Sequence, residues 1–168
     1  LDIIRNVKHV DFHHNPIEVV HLSGESSDVA IRLLRSLGNT ANCLSDLREV
    51  QMNGIKGNFT AVMEAFRGGF LTCYRASLTR IRLDDNSKSN FTFIAANFLG
   101  GLPNLEFLSI SGNWQLVSIK PKAFSGLSSL NTLYLTNNRL VSLDGAFIGM
   151  ISLKGLFLYK NVLTPIDA

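Results

Sequence analysis

His9, His13 and His14 are the first residues along the chain whose type and closeness suggest chemistry, namely a metal site. In an extended segment, alternate residues are roughly 6.6–7 Å apart, which puts His9 and His13 about 13 Å from each other. A single zinc ion with bonds of about 2.0–2.1 Å cannot bridge that span. Solvated surface histidines are the expectation, and no metal or other cofactor is expected. Cys43 and Cys73 have no metal-finger spacing and are too few to staple a small disulfide scaffold. They precede consecutive apolar segments. A disulfide between them and a pair of buried thiols are both open, because the geometry that decides is not in the sequence.

Other chemistry finds no frame. The chain has no G-x-S-x-G elbow, phosphate-binding Walker loop, dinucleotide fingerprint or H-E-x-x-H helix. Its acidic residues are dispersed, and no nucleophile stands beside a base. An enzyme is therefore not expected. Two triplets, Asn58-Phe59-Thr60 and Asn90-Phe91-Thr92, have the pattern of N-glycosylation acceptors and point to a secretory protein.

A hydrophobic fraction of 46% against 17% charged residues excludes a disordered chain and allows one domain with a sizeable core. The net charge of +3 comes from lysines and arginines scattered singly. Without a clustered basic stripe, no nucleic-acid partner is expected. No apolar run reaches the roughly 18 residues of a membrane span. Any membrane attachment is expected through segments outside this chain.

The elements that must position these residues are set by a repeat. The frame L-x-x-L-x-L-x-x-N is clearest at Leu130, Leu133, Leu135 and Asn138. Leu105, Leu108, Ile110 and Asn113 precede it, and Leu153, Leu156, Leu158 and Asn161 follow. Upstream stand Leu78, Ile81, Leu83, Asn86 and, at the start, Val7, Val10, Phe12, Asn15. One copy, Leu47, Val50, Met52, carries Ile55 in the asparagine slot. Five asparagines at one offset in six frames do not arise by accident.

The second and third apolar positions lie two apart, on one face of a short strand. Such a strand cannot bury that face alone, but parallel copies stacked at roughly 4.8 Å make a continuous core. The asparagine stands where the chain must turn, and its buried amide can satisfy turn backbone that water cannot reach. Six parallel strands are expected, centred on Val10, Val50, Ile81, Leu108, Leu133 and Leu156. The repeat length shortens from about 40 residues at the start to the low twenties at the end.

Ser27-Asp28 followed by Ala30, Leu33, Leu34, Leu37 and Gly38 predicts a capped amphipathic helix. A shorter one is expected from Thr60 to Phe66, ending at Gly68-Gly69. Helices need about 8–10 Å of lateral room and strands half of that, so the stack should curve with its strands inside. The expected fold class is thus an α/β solenoid, with a parallel concave sheet and loops or short helices on the convex side.

Residues three, five and seven of each frame face away from the leucine core. They are His9, Asp11, His13, then Glu49, Gln51, Asn53, then Arg80, Arg82, Asp84. The later repeats supply Phe107, Ser109, Ser111, then Thr132, Tyr134, Thr136, then Gly155, Phe157, Tyr159. Phe107, Tyr134 and Phe157 fall on neighbouring strands with Tyr159 nearby. Together with Arg80 and Arg82 they are the candidate ligand-binding residues, since exposed aromatics on a rigid sheet have the character of a binding hot spot. The alternative is that the rings only pack on one another or under a neighbouring segment.

Ala123-Phe124-Ser125-Gly126-Leu127 and Ala146-Phe147-Ile148-Gly149-Met150 add a Phe-x-x-Leu/Met signature to the frame. On these motifs the chain resembles the leucine-rich-repeat family, in its typical class of about 24 residues. The likeness is close over 78–168 and looser over 1–77. It implies a horseshoe, secretion, and recognition of protein or glycan, as in Toll-like receptor ectodomains of innate immunity, small proteoglycans and cell-adhesion receptors. The chain departs from that pattern in lacking cysteine-rich caps, in Ile55, and in its long early connectors; Gly57 resembles plant-receptor repeats. An uncapped stack exposes apolar faces, so residues 1–168 are expected to be one domain of about six repeats cut from a longer ectodomain. An intracellular repeat scaffold or inhibitor of a partner protein is the alternative, and a matrix protein holding fibrous partners is a third reading.

Overall fold

The computed structural model describes residues 18–39, 43, 46–99 and 101–164. Six short parallel strands form its main sheet: β1 (Val19–His21), β2 (Glu49–Gln51), β3 (Arg80–Arg82), β5 (Phe107–Ser109), β7 (Thr132–Tyr134) and β8 (Gly155–Phe157). Two still shorter strands, β4 (Phe93–Ile94) and β6 (Ser118–Ile119), pair in parallel as a second sheet. Each main strand contributes one inward residue, and Val20, Val50, Ile81, Leu108, Leu133 and Leu156 stand opposite one another in register. The first five are buried, with Leu22, Met52, Leu83, Ile110 and Leu135 behind them. Leu156 is 37% exposed, because no described strand lies beyond β8. The fold is a leucine-rich-repeat solenoid.

The expected strand at Val10 lies outside the described residues. Its place beside β2 is taken by β1, with Val20 opposite Val50. The true frame was concealed because Glu25 stands in the ninth slot, where asparagine was sought. Successive inward residues are therefore 30 and 31 residues apart at the start, not about 40, and 23 apart at the end.

The ninth-position asparagines form a continuous ladder. Asn138 accepts a hydrogen bond from Asn113 N (2.9 Å) and donates through Nδ2 to the carbonyls of Ile110 (2.7 Å) and Leu135 (2.8 Å). Asn113 accepts from Asn86 N, and Asn86 from Ile55 N, at 2.8 and 2.7 Å. Ile55, fully buried, ends the ladder by filling the slot with hydrocarbon.

The residue just before this slot was not singled out from the sequence, yet it is the sharper turn signal. Gly24, Gly54, Asp85, Gly112, Asn137 and Lys160 all have positive φ, between 55° and 77°. This left-handed step costs an ordinary side chain roughly 1–2 kcal/mol, and glycine and asparagine tolerate it best. In the first five it aims the N–H at the seventh-position carbonyl of the next repeat, as in Gly112 N to Thr136 O at 3.0 Å.

Helices fill the early connectors. α1 (Ser27–Leu37) is capped by Ser26, one residue before the expected start, and buries Ala30, Leu34 and Leu37. α2 (Phe59–Ala65) runs out through Phe66 and breaks at Gly68, whose ψ of −128° is not helical, as the glycine pair predicts; a second short helix, α3 (Leu71–Tyr74), follows. Phe66, Phe70 and Tyr74 pack ring on ring, and the buried Tyr74 hydroxyl donates to Leu37 O (2.9 Å). These rings pack the two short helices against each other across the break. Helices and turns thus occupy the wide side of the stack, and the solvent face of the main sheet lines the concave side of the horseshoe.

Candidate recognition surface

Register fixes which side chains meet on that concave face. One row runs Val19, Glu49, Arg80, Phe107, Thr132, Gly155, and the next His21, Gln51, Arg82, Ser109, Tyr134, Phe157. His9, His13 and His14 lie outside the described residues; the histidine on this face is His21. Among the described residues no group of three His, Cys, Asp or Glu side chains is placed to hold a metal ion.

A chain of contacts crosses both rows. The Glu49 carboxylate accepts from Arg82 Nε (3.2 Å), pairs with Arg80 Nε (3.4 Å), and accepts from Gln51 Nε2 (2.8 Å). Both guanidinium carbons then lie over one ring, that of Phe107, at 4.4 Å for Arg80 and 4.8 Å for Arg82. Phe107 meets Tyr134 with centroids 5.6 Å apart and planes 42° apart. Tyr134 stacks on Phe157 at 4.2 Å. Gly155 makes room for this last ring: a Cβ there would stand 3.2 Å from it.

The six candidate ligand-binding residues therefore divide. Arg80, Arg82, Phe107, Tyr134 and Phe157 are in one connected strip, while no ring contact joins Tyr159, which is 60% exposed, to it. The rings do pack on one another, and they do so on the solvent side of the sheet. Glu49, the carboxylate that ties the arginines together, was placed on this face by its frame position but not recognised as part of the strip. Its signal was the pairing of third positions across neighbouring repeats, which sets it beside Arg80.

Below the strip, polar side chains fix the turns. Asn53 Oδ1 accepts from Asp84 N (2.8 Å), and Asp84 Oδ1 accepts from Ser109 Oγ (2.6 Å) and Ser111 N (2.7 Å). Thr136 Oγ1 donates to Ser111 Oγ at 3.1 Å. The strip thus rests on a hydrogen-bonded floor, which lowers the ordering cost of any contact made to it.

On the opposite side, Cys43 and Cys73 are joined in a disulfide with Cα atoms 5.3 Å apart. Asn58 and Asn90 are both exposed and adjacent: Asn90 Nδ2 donates to Asn58 Oδ1 (3.2 Å). Asn58 Oδ1 also caps α2 through Ala61 N (3.1 Å), and Asn90 Oδ1 accepts from Phe59 N (2.7 Å).

Residues 76–140 match the leucine rich repeat family, and the strand register and asparagine ladder carry the same repeat on to Asn161. Within residues 76–140 the chain thus consists of leucine-rich repeats. No curated protein matches its sequence at a significant level. Among solved structures it is similar to internalin C2 of Listeria monocytogenes, at 16% identity and a TM-score of 0.43, over 90% of this chain and 75% of that one. It is also similar to the internalin inlF of the same organism, at 20% identity and 0.31, over 79% and 47% of the two chains. A third likeness is to TLR13 in its ssRNA13 complex, at 15% identity and 0.32, over 89% of this chain and 29% of that one.

Proposed function

We propose that this chain is a non-catalytic recognition module of an extracellular or cell-surface protein, and that it binds a protein or glycan through the concave strip from Arg80 to Phe157. The observation that carries the reading is the stack of Phe107, Tyr134 and Phe157 on the solvent face. Core packing does not require rings there, since the leucine core lies on the other side of the sheet. Burying them against a partner removes apolar surface from water at about 25 cal/mol per Å². Rigid aromatics and arginine are also the residues that most often dominate binding energy.

An extracellular site is supported by the Cys43–Cys73 bond, since disulfides persist in oxidising compartments, and by the two exposed sequons. The alternative of an intracellular scaffold drew on the helix now seen as α1. Its apolar face is spent on the core, so the helix lends that reading no support. The RNA held by TLR13 does not transfer to this chain. Glu49 and Asp84 share the face with the two arginines, so the strip lacks the basic track that a phosphate backbone selects.

The test is site-directed photo-crosslinking on the natively processed protein. A benzoylphenylalanine replacing Thr132, on the strip, is expected to capture a discrete partner on the cell surface or in the medium. The same group replacing Lys122, on the far side, is not. Capture from Lys122 alone, or equal capture from both, would remove the concave face from the account.

A further inference from the structure

The two arginines of the strip do more than flank the rings. Each guanidinium spends its Nε on Glu49, and neither Nη atom of either arginine meets an acceptor among the described residues. Both guanidinium carbons also lie over Phe107, 4.4 and 4.8 Å from its ring centroid. An arginine held over a ring in this way keeps N–H donors for a further acceptor. Arg80 and Arg82 are 44% and 34% exposed, whereas Glu49 is only 15% exposed. The two arginines are thus more open to the concave side than the carboxylate that holds them.

From this geometry we infer that Arg80 and Arg82 form a receptor for a single carboxylate, presented by an acidic side chain or chain terminus of the partner beside an apolar group that rests on Tyr134 and Phe157. The inference rests on the concave recognition reading and specifies its chemistry. Two guanidiniums against one glutamate leave one net positive charge, which matches a monoanion. A dianionic phosphate exceeds that single charge and would meet Glu49 between the arginines, and like charges at short range disfavour it. The arginines are already ordered by Glu49 and Phe107, so capture of a carboxylate forfeits little side-chain freedom. Charge-assisted bonds from a guanidinium fork to a carboxylate are among the stronger polar contacts available. The adjacent rings supply the apolar half, with Phe157 at 37% exposure its most open member.

The test reads the arginine side chains directly and needs no identified partner. Protein labelled with ¹⁵N-arginine is titrated with N-acetylphenylalaninate, which carries ring and carboxylate, and with N-acetylphenylalaninamide, which carries the ring alone. Inorganic phosphate is the third probe. The carboxylate is expected to shift the Nε and Nη resonances of Arg80 and Arg82, with the neutral amide about tenfold weaker or more. Phosphate at equal concentration should bind more weakly than the carboxylate. Arg80→Gln and Arg82→Gln should each weaken the response while the backbone amide spectrum stays that of the folded parent. Equal response to acid and amide, tighter binding of phosphate, or no arginine shift at all overturns the inference. None of these results alters where a crosslinked partner docks, so failure here and failure of the concave reading are separable.

Discussion

The ring of Tyr134 lies parallel to that of Phe157, with centroids 4.2 Å apart and planes 4° from each other, across neighbouring strands of the concave sheet. Strands roughly 4.8 Å apart impose nearly this spacing, so the stack is a direct consequence of two aromatics in the fifth position of successive repeats. Gly155, two residues before Phe157, leaves the space that the ring occupies. Replacing Gly155 with Val should therefore displace Phe157 and break the stack while the core side of β8 is unaffected. Ring-current shifts of the Tyr134 protons report it; unchanged shifts would show that the glycine has no part in placing the ring.

The asparagine ladder should be a principal source of local stability. Asn138→Ala strips partners from Asn113 N and from the Ile110 and Leu135 carbonyls, all within a buried turn. A loss of about 1–3 kcal/mol is expected, read as a lowered denaturant midpoint. A midpoint equal to that of the parent would mean that water replaces the amide at no cost.

Gly38 should be among the least replaceable glycines. An added Cβ would collide with the backbone of Gly69 and Phe70, which cannot swing away as a side chain can. Gly38→Ala is expected to cost clearly more than Gly149→Ala, which carries only the strain of φ +88° with open space around it, on the order of 1–2 kcal/mol. Comparing the two denaturation midpoints checks this; equal losses would leave the close approach of the two backbones without weight.

Much of this was legible from spacing alone, and the failures have physical causes. The five strands from Glu49 onward follow from leucines two apart, because that pattern can bury only one face of a strand. The first strand did not, because Glu25 replaces the asparagine and the frame match at Val7 to Asn15 drew the reading ten residues upstream. A search on the left-handed step, where Gly24 stands, would have placed it. The second connector was legible as far as its break: Gly68 and Gly69 stop α2, but α3 beyond them was not foreseen, because it is held by the packing of the Phe66, Phe70 and Tyr74 rings. On the concave face the rows of side chains were predictable, whereas the meeting of two arginines on Phe107 depends on rotamers that no frame specifies.

Reducing the Cys43–Cys73 bond should loosen the first two connectors selectively. The bond closes a loop with a sequence separation of 30, and chain-entropy arguments give such a crosslink about 3–4 kcal/mol. A Cys43→Ser/Cys73→Ser double variant should lower the unfolding midpoint and raise hydrogen exchange in α1 and α3, with less effect at β7 and β8. Uniform exchange along the stack would show that the bond is not local in its action.

Glycosylation of at least one of Asn58 and Asn90 is expected on protein from its native source, since both side chains are exposed on connectors away from the packed sheet. Asn58 is the better placed: no described residue meets its Nδ2, whereas the Nδ2 of Asn90 is engaged by its neighbour. Intact-mass and peptide mass spectrometry decides it. Unmodified asparagine at both positions would argue for the intracellular reading.

The central claim is that the concave rings, and not the convex connectors, hold the partner. Its most direct measurement is the affinity of Tyr134→Ala and Phe157→Ala for the protein or glycan captured by crosslinking, with Lys122→Ala as the far-side control. Each ring variant should fold and should bind about 2 kcal/mol more weakly, a loss of roughly thirtyfold, while the control binds like the parent. Two folded ring variants that bind with the parent's affinity would contradict the account.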